Sequence, residues 1–189
     1  MFHNFKFLRL NSEIKSTFFR VISILAIIMS IFYYIKDNYV YNLTSSIPIG
    51  LYKIYDFNDK LQKGDIVVFN ISLKDKNFML KRGYINKRIK GLIKKVIAIE
   101  GDKVEIGKYL KVNGKIIKTL PDIDTLGRVL PKKNGVYILK EGEYFLIGDN
   151  INSYDSSYLG IVNDSQVLKR AKLIINTEKE KNLSFEIIK

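Results

Sequence analysis

The sequence predicts a mainly β protein, an antiparallel sheet domain preceded by one membrane-spanning helix. Three observations carry this expectation. Residues 21–35 run without a charge as Val-Ile-Ser-Ile-Leu-Ala-Ile-Ile-Met-Ser-Ile-Phe-Tyr-Tyr-Ile. From Gly50 onward the apolar residues come instead in short β-branched and aromatic runs, the periodicity of strands. Gly-Asp pairs at 64–65, 101–102 and 148–149 and an Asn113-Gly114 pair separate those runs, the chemistry of turns and two-residue hairpins.

Composition narrows the chemistry. The 189 residues are 47% hydrophobic, enough for one domain with a core plus an anchor. There is no cysteine, which excludes disulfides, thiolate metal sites and thiol catalysis. The single histidine is His3, in the N-terminal tail, so Ser-His-Asp triads and histidine-based acid–base catalysis are excluded as well. A hydrolase built on this chain must use a lysine or a carboxylate as its base. The net charge of +13 comes from 32 basic against 19 acidic residues, mostly lysines spread along the chain. A lysine-rich composition and attraction to an anionic membrane surface account for it, and no nucleic-acid partner is expected. No cofactor or metal signal is present, and none is expected.

In chain order, residues 1–16 read as a cytoplasmic tail carrying Lys6, Arg9 and Lys15. Residues 17–36 supply the length that a spanning helix needs, with Phe18-Phe19 and Tyr33-Tyr34 placed as interfacial belts. The positive charge before the segment predicts an N-terminus inside and the remainder exported. A cleaved signal peptide and a buried core helix are the rival readings; Lys36-Asp37-Asn38-Tyr39 follows where a cleavable signal carries small residues. Residues 37–177 form the exported β domain, with strands expected at 50–57, 65–71, 93–99, 103–106, 109–112, 115–118, 136–140, 144–147 and 167–175. Residues 74–90 read as a polar, basic insertion or loop. Residues 178–189 read as a polar tail, within which Leu183, Phe185 and Ile187 alternate as an edge strand would.

Two stretches could carry chemistry. In Thr44-Ser45-Ser46-Ile47-Pro48-Ile49-Gly50, Pro48 fixes its own φ and holds Ile47 extended, while Gly50 permits a tight bend. Ser46 therefore presents its hydroxyl from a stiff segment, as a candidate nucleophile, with Ser45 as the rival. A serine needs a base in reach, and a lysine can serve if burial lowers its pKa towards neutrality. Leu92-Ile93-Lys94-Lys95-Val96-Ile97-Ala98-Ile99 offers two. Lys94 shares a strand face with Leu92, Val96 and Ala98, and Lys95 with Ile93, Ile97 and Ile99. Both faces are apolar, so alternation does not choose between them.

The motif Asn42-x-Thr44-x-Ser46-x-Pro48-x-Gly50-Leu51-Tyr52 resembles the nucleophile box of the conjugative-transfer (TraF-like) branch of the type I signal peptidases, a serine–lysine peptidase family. Lys63-Gly64-Asp65-Ile66-Val67 is similar to the strand that follows it, and residues 92–104 to the lysine box. Gly148-Asp149-Asn150 through Ser153-Tyr154-Asp155-Ser156-Ser157-Tyr158-Leu159-Gly160 resembles the third box. These boxes occur in family order behind one anchor helix. The resemblance implies a barrel-like signal-peptidase catalytic domain, with Ser46 as nucleophile and Lys94 as general base. It implies an oxyanion hole made by Thr44 and the Ser46 backbone N–H, with Ser153 orienting the lysine and Asp155 bracing the site. It departs at Ser157, where an arginine is usual, so the ion pair expected for Asp155 is missing. Glu100 replaces a proline and Lys95 an arginine.

The resemblance further implies a membrane-anchored serine endopeptidase that removes signal or leader peptides from exported precursors bound as extended peptides, a conjugative pilin or secretion-system protein among the candidates. Its expected place is the bacterial inner membrane, with a single pass, the N-terminus cytoplasmic and the catalytic domain outside. The alternative is a non-catalytic, anchored β domain that binds exported pilin-like partners.

Overall fold

A computed structural model of the protein describes residues 12–177, which fall into two units divided after Asn38. The first unit is helix α1, Ser12–Asn38, of 27 residues, or about 40 Å at 1.5 Å per residue. Its apolar side chains, among them Phe18, Ile28 and Phe32, are exposed on every face. Thr17, Ser23 and Ser30 each donate their hydroxyl to the carbonyl four residues back at 2.9 Å. These three hydroxyls are thereby satisfied internally, as hydrocarbon surroundings require. Helix α1 is long and apolar enough to cross a membrane. It runs past the expected 17–36 at both ends. Most of the expected N-terminal tail and the 178–189 tail lie outside the described residues.

The second unit is built from strands β1 Tyr39–Asn42, β2 Gly50–Tyr55, β3 Ile66–Phe69, β4 Leu92–Ala98, β5 Lys103–Ile106, β6 Tyr109–Val112, β7 Lys115–Thr119, β8 Gly135–Ile138, β9 Glu143–Ile147, β10 Val162–Asn163 and β11 Val167–Asn176. Helix α2, Leu73–Lys81, follows β3, and the single turn α3, Ser156–Leu159, follows β9. Seven strands form one sheet in the order β1-β2-β11-β3-β4-β9-β10, and four form a second in the order β7-β6-β5-β8. Every strand pairing is antiparallel. Ala98, Val104, Leu110, Leu139 and Phe145 form a buried cluster drawn from both sheets.

The turn residues act as expected. Asn113 and Gly114 both take positive φ, 52° and 79°, which the tight hairpin between β6 and β7 needs. Asp102 is buried behind the turn after β4. It accepts hydrogen bonds from Ile99 N, Asn113 Nδ2 and Lys63 Nζ at 2.6–2.8 Å, so the Gly-Asp pair there is structural.

Residues 74–90 are not simply a loop. Ser72 caps α2 by accepting from Asp75 N at 3.1 Å, and the helix buries Met79. Lysines at 74, 76 and 81 hide a helix this short from a periodicity argument. Phe78 of the helix and Tyr84 beyond it pack around Tyr154, which stacks on Tyr158 with centroids 5.2 Å apart. The insertion is therefore anchored beside the third box.

Candidate active site

Three segments converge on one open cavity of about 780 Å³, whose walls include Ser46, Lys94 and Ser153 and are otherwise mainly apolar. The first segment is the loop from β1 to β2. Its hub is Asn42, buried at the end of β1. Asn42 Nδ2 donates to the carbonyls of Thr44, Ile47 and Pro48 at 2.7–3.2 Å. Asn42 Oδ1 accepts from Thr44 N at 3.2 Å and from Thr44 Oγ1 at 2.9 Å. One side chain thus fixes the whole turn, an asparagine bonding the backbone two residues on. Tyr52 OH adds a bond to Pro48 O at 2.7 Å.

Ser46 Oγ lies 3.1 Å from Thr44 Oγ1. A hydroxyl has one hydrogen, and that of Thr44 is directed to Asn42, so Ser46 donates to Thr44 in this arrangement. The Ser46 N–H makes no hydrogen bond among the described residues and is available to an oxyanion. Ser45, the rival hydroxyl, is exposed and accepts from Asn150 Nδ2 at 3.1 Å.

Gly50 has a different task from the one expected. Its φ is not positive. A Cβ there would lie 1.9 Å from Ile175 O on β11, so glycine is needed for the close approach of two backbones rather than for a bend.

The second segment is β4, and it settles the choice left open by alternation. Lys94, Val96 and Ala98 are buried on one face, while Lys95 is half-exposed and bonds Asp149 at 2.7 Å. Lys94 pairs with Val67 of β3 and is 5% exposed. Its Nζ takes part in no hydrogen bond or ion pair among the described residues. Burial pushes the Lys94 amine down to about 8 from the usual 10.5, against the pull of Asp155 and Asp149 and helped by the charge of Lys118. A lysine near 8 keeps a usable neutral fraction at ordinary pH.

The third segment runs from Gly148 to α3. Asp149 N donates to Ser46 O, tying it to the serine loop. A Cβ on Gly148 would lie 2.2 Å from Ser153 Oγ and 2.5 Å from Ser46 O, so nothing larger fits. Ser153 is buried, and its hydroxyl makes no hydrogen bond among the described residues. Asp155 is fully buried and caps α3 by accepting from Ser157 N at 3.1 Å, and it accepts from Gly148 N at 3.1 Å.

The third box supplies no cation to Asp155, but another element does. Lys118 Nζ, from β7, donates to Asp155 Oδ2 at 2.6 Å. Ser157 lies buried with an unpartnered hydroxyl. A carboxylate this deep requires a cation, and the second sheet supplies it. Lys118 carries no signal of this role in the sequence, where it ends the expected strand at 115–118. Asn42 carried a signal, an asparagine two residues before a turn hydroxyl, which went unread.

A β domain that sets a loop serine and a buried strand lysine on one cavity has the layout of a serine–lysine peptidase. The chain belongs to the signal peptidase family, peptidase S26, whose family model matches residues 11–176. It is similar to the conjugal transfer protein TraF of Agrobacterium tumefaciens, at 32% identity over 149 residues, 73% of this chain and 82% of that protein. It is also similar to a probable signal peptidase I-2 of Synechocystis sp., at 33% identity over 114 residues, 58% of this chain and 46% of that protein. A solved signal peptidase I from Enterococcus faecalis V583 aligns over 63% of this chain and 100% of that chain, at 21% identity and a TM-score of 0.35. Family membership and α1 together make this a membrane-anchored, signal-peptidase-type protein.

Proposed function

We propose that the protein is an endopeptidase using Ser46 and Lys94 as a dyad, and that it removes signal or leader peptides from exported precursors. The observation that carries this reading is the buried Lys94, its amine without a partner among the described residues, lining the same cavity as Ser46. The Ser46 hydroxyl turns from Thr44 towards Lys94, with which it makes no hydrogen bond in this structure, and neutral Lys94 takes its proton as Oγ attacks the scissile carbonyl carbon. The carbonyl electron pair becomes an oxyanion facing the Ser46 N–H, with the Thr44 hydroxyl as second donor once it turns from Asn42. Collapse expels the new amine, which receives the proton from Lys94. Water then gives its proton to Lys94 while attacking the acyl-enzyme, and the second collapse returns the hydrogen to Ser46.

The substrate lies as an added strand beside β1, which ends its sheet. Small residues before the cut are the expected preference, and the similarity to proteins of conjugal transfer favours a dedicated precursor. The N-terminus of α1 is cytoplasmic and the β domain lies outside the bacterial inner membrane, in keeping with the basic residues ahead of the helix.

The test uses full-length protein in detergent and a precursor peptide with an Ala-x-Ala site. Ser46→Ala and Lys94→Ala should both abolish cleavage. Lys94→Arg should abolish it too, because a guanidinium does not release its proton at neutral pH. Cleavage surviving in any of the three would reject the dyad. Precursor binding without cleavage by the unaltered protein would favour a non-catalytic binding role.

A further inference from the structure

We propose that Lys118 is a positioning residue of the site: it claims Asp155, and so leaves Lys94 as the amine free to take a proton from Ser46. The inference rests on the dyad reading and adds what decides between two lysines. Lys94 and Lys118 both approach one buried carboxylate, and only Lys118 bonds it, with its side chain 12% exposed against 0% for Asp155. The same ammonium lies 3.5 Å from Gly148 O. Gly148 N in turn donates to Asp155 Oδ2, the same oxygen that Lys118 holds, and the N–H of the next residue, Asp149, holds the Ser46 carbonyl. Lys118 therefore sits one step behind the segment that fixes the serine loop.

The backbone is arranged to deliver it. In the β6–β7 hairpin Lys111 pairs with Ile116, but Leu110 pairs with Lys118 rather than Ile117, because a bulge intervenes. Directly opposed residues share a sheet face, and Leu110 is buried. Without the bulge Ile117 would face inward and Lys118 outward; a bulge re-aims side chains in this way. Ser157, where the family resemblance expects an arginine, offers no charge. The cation comes instead from β7, in the four-stranded sheet.

The charged groups around Lys94 are Asp155 ahead of α3, Asp149 after β9 and Lys118 on β7. With Lys118 gone, the Asp155 charge is no longer neutralised and the repulsion from Lys118 is lost, and both changes favour the Lys94 ammonium. The measurement is the pH at which Lys94 becomes half-reactive towards acetic anhydride, read by peptide mass mapping on the full-length protein in detergent. In Lys118→Met that midpoint should rise by about one pH unit or more. Lys118→Arg should keep the original midpoint. Asp155→Asn combined with Lys118→Met should bring it back, since the carboxylate that would hold the proton is gone while its amide oxygen can still cap α3. An unmoved midpoint in Lys118→Met, or a raised one in the double variant, overturns the proposal. Because the amine is titrated directly, these outcomes are independent of whether Ser46 is the nucleophile, which the cleavage assay decides.

Discussion

The serine loop and the lysine strand solve opposite problems. The loop between β1 and β2 is pinned at its base by Ile47, buried against Tyr52 and Ala171, and is shaped by polar contacts: a single asparagine makes three bonds through its nitrogen and two through its oxygen. Lys94 is held by exclusion, buried between neighbouring strands with no bond to its amine. A nucleophile needs orientation, which hydrogen bonds give; a lysine base needs a lowered pKa, which only desolvation and nearby cations give. One region is satisfied and the other is deliberately not.

The comparison breaks most completely when either end is removed. Ser46→Ala and Lys94→Ala should each lower kcat/KM by at least about 10³-fold, and the double variant should be little worse than either alone, since the two act as a unit. Purified variants assayed on the precursor peptide give this directly.

Joining the two regions too tightly comes next. Gly148→Ala pushes a methyl between Ser153 and the Ser46 carbonyl. A displacement of the loop of this kind should cost about 10²-fold in kcat, with a lower Tm by thermal unfolding. Loosening only the loop is milder. Asn42→Ala leaves three carbonyls and two Thr44 donors without their partner, and kcat should fall about 10-fold to 100-fold with KM nearly unchanged.

The smallest effect sharpens the contrast through stability. The Lys94 amine is at about 8 when folded and 10.5 when unfolded. Below about 8 both states are charged and the folded one bears the full penalty; between 8 and 10.5 the unfolded chain binds more protons, so stability rises with pH. Lys94→Met should therefore stabilise the protein at neutral pH by on the order of 3 kcal/mol, less any packing loss. The advantage should shrink as pH rises through that window. Denaturant titrations at neutral pH and near pH 10 read it. No comparable gain is expected from Ser46→Ala, whose hydroxyl carries no such penalty.

The elements with strong local signals were legible in the sequence: the uncharged run of α1, the alternating strands and the Asn113-Gly114 turn. The serine loop was legible as a stiff segment with a hydroxyl, because proline and glycine announce themselves. Two things were not legible. Alternation could not separate Lys94 from Lys95, since both faces of β4 carry apolar residues, and only tertiary packing buries Lys94 and leaves Lys95 to Asp149. Lys118 depended on a one-residue bulge, and a strand's facing cannot be read from a sequence that does not mark where its register slips. Gly50 was legible as a glycine position, but its reason, the passage of β11, lies more than a hundred residues away.

The central claim is that Ser46 attacks with Lys94 as its base. The most direct measurement is acylation of the full-length protein by a penem, a β-lactam that acylates serine nucleophiles, followed by intact mass and peptide mapping across pH. The account predicts one adduct, on Ser46, forming at a rate that climbs as pH passes about 8, and none in Lys94→Met. An adduct on Ser45, or equal rates with and without Lys94, would contradict it.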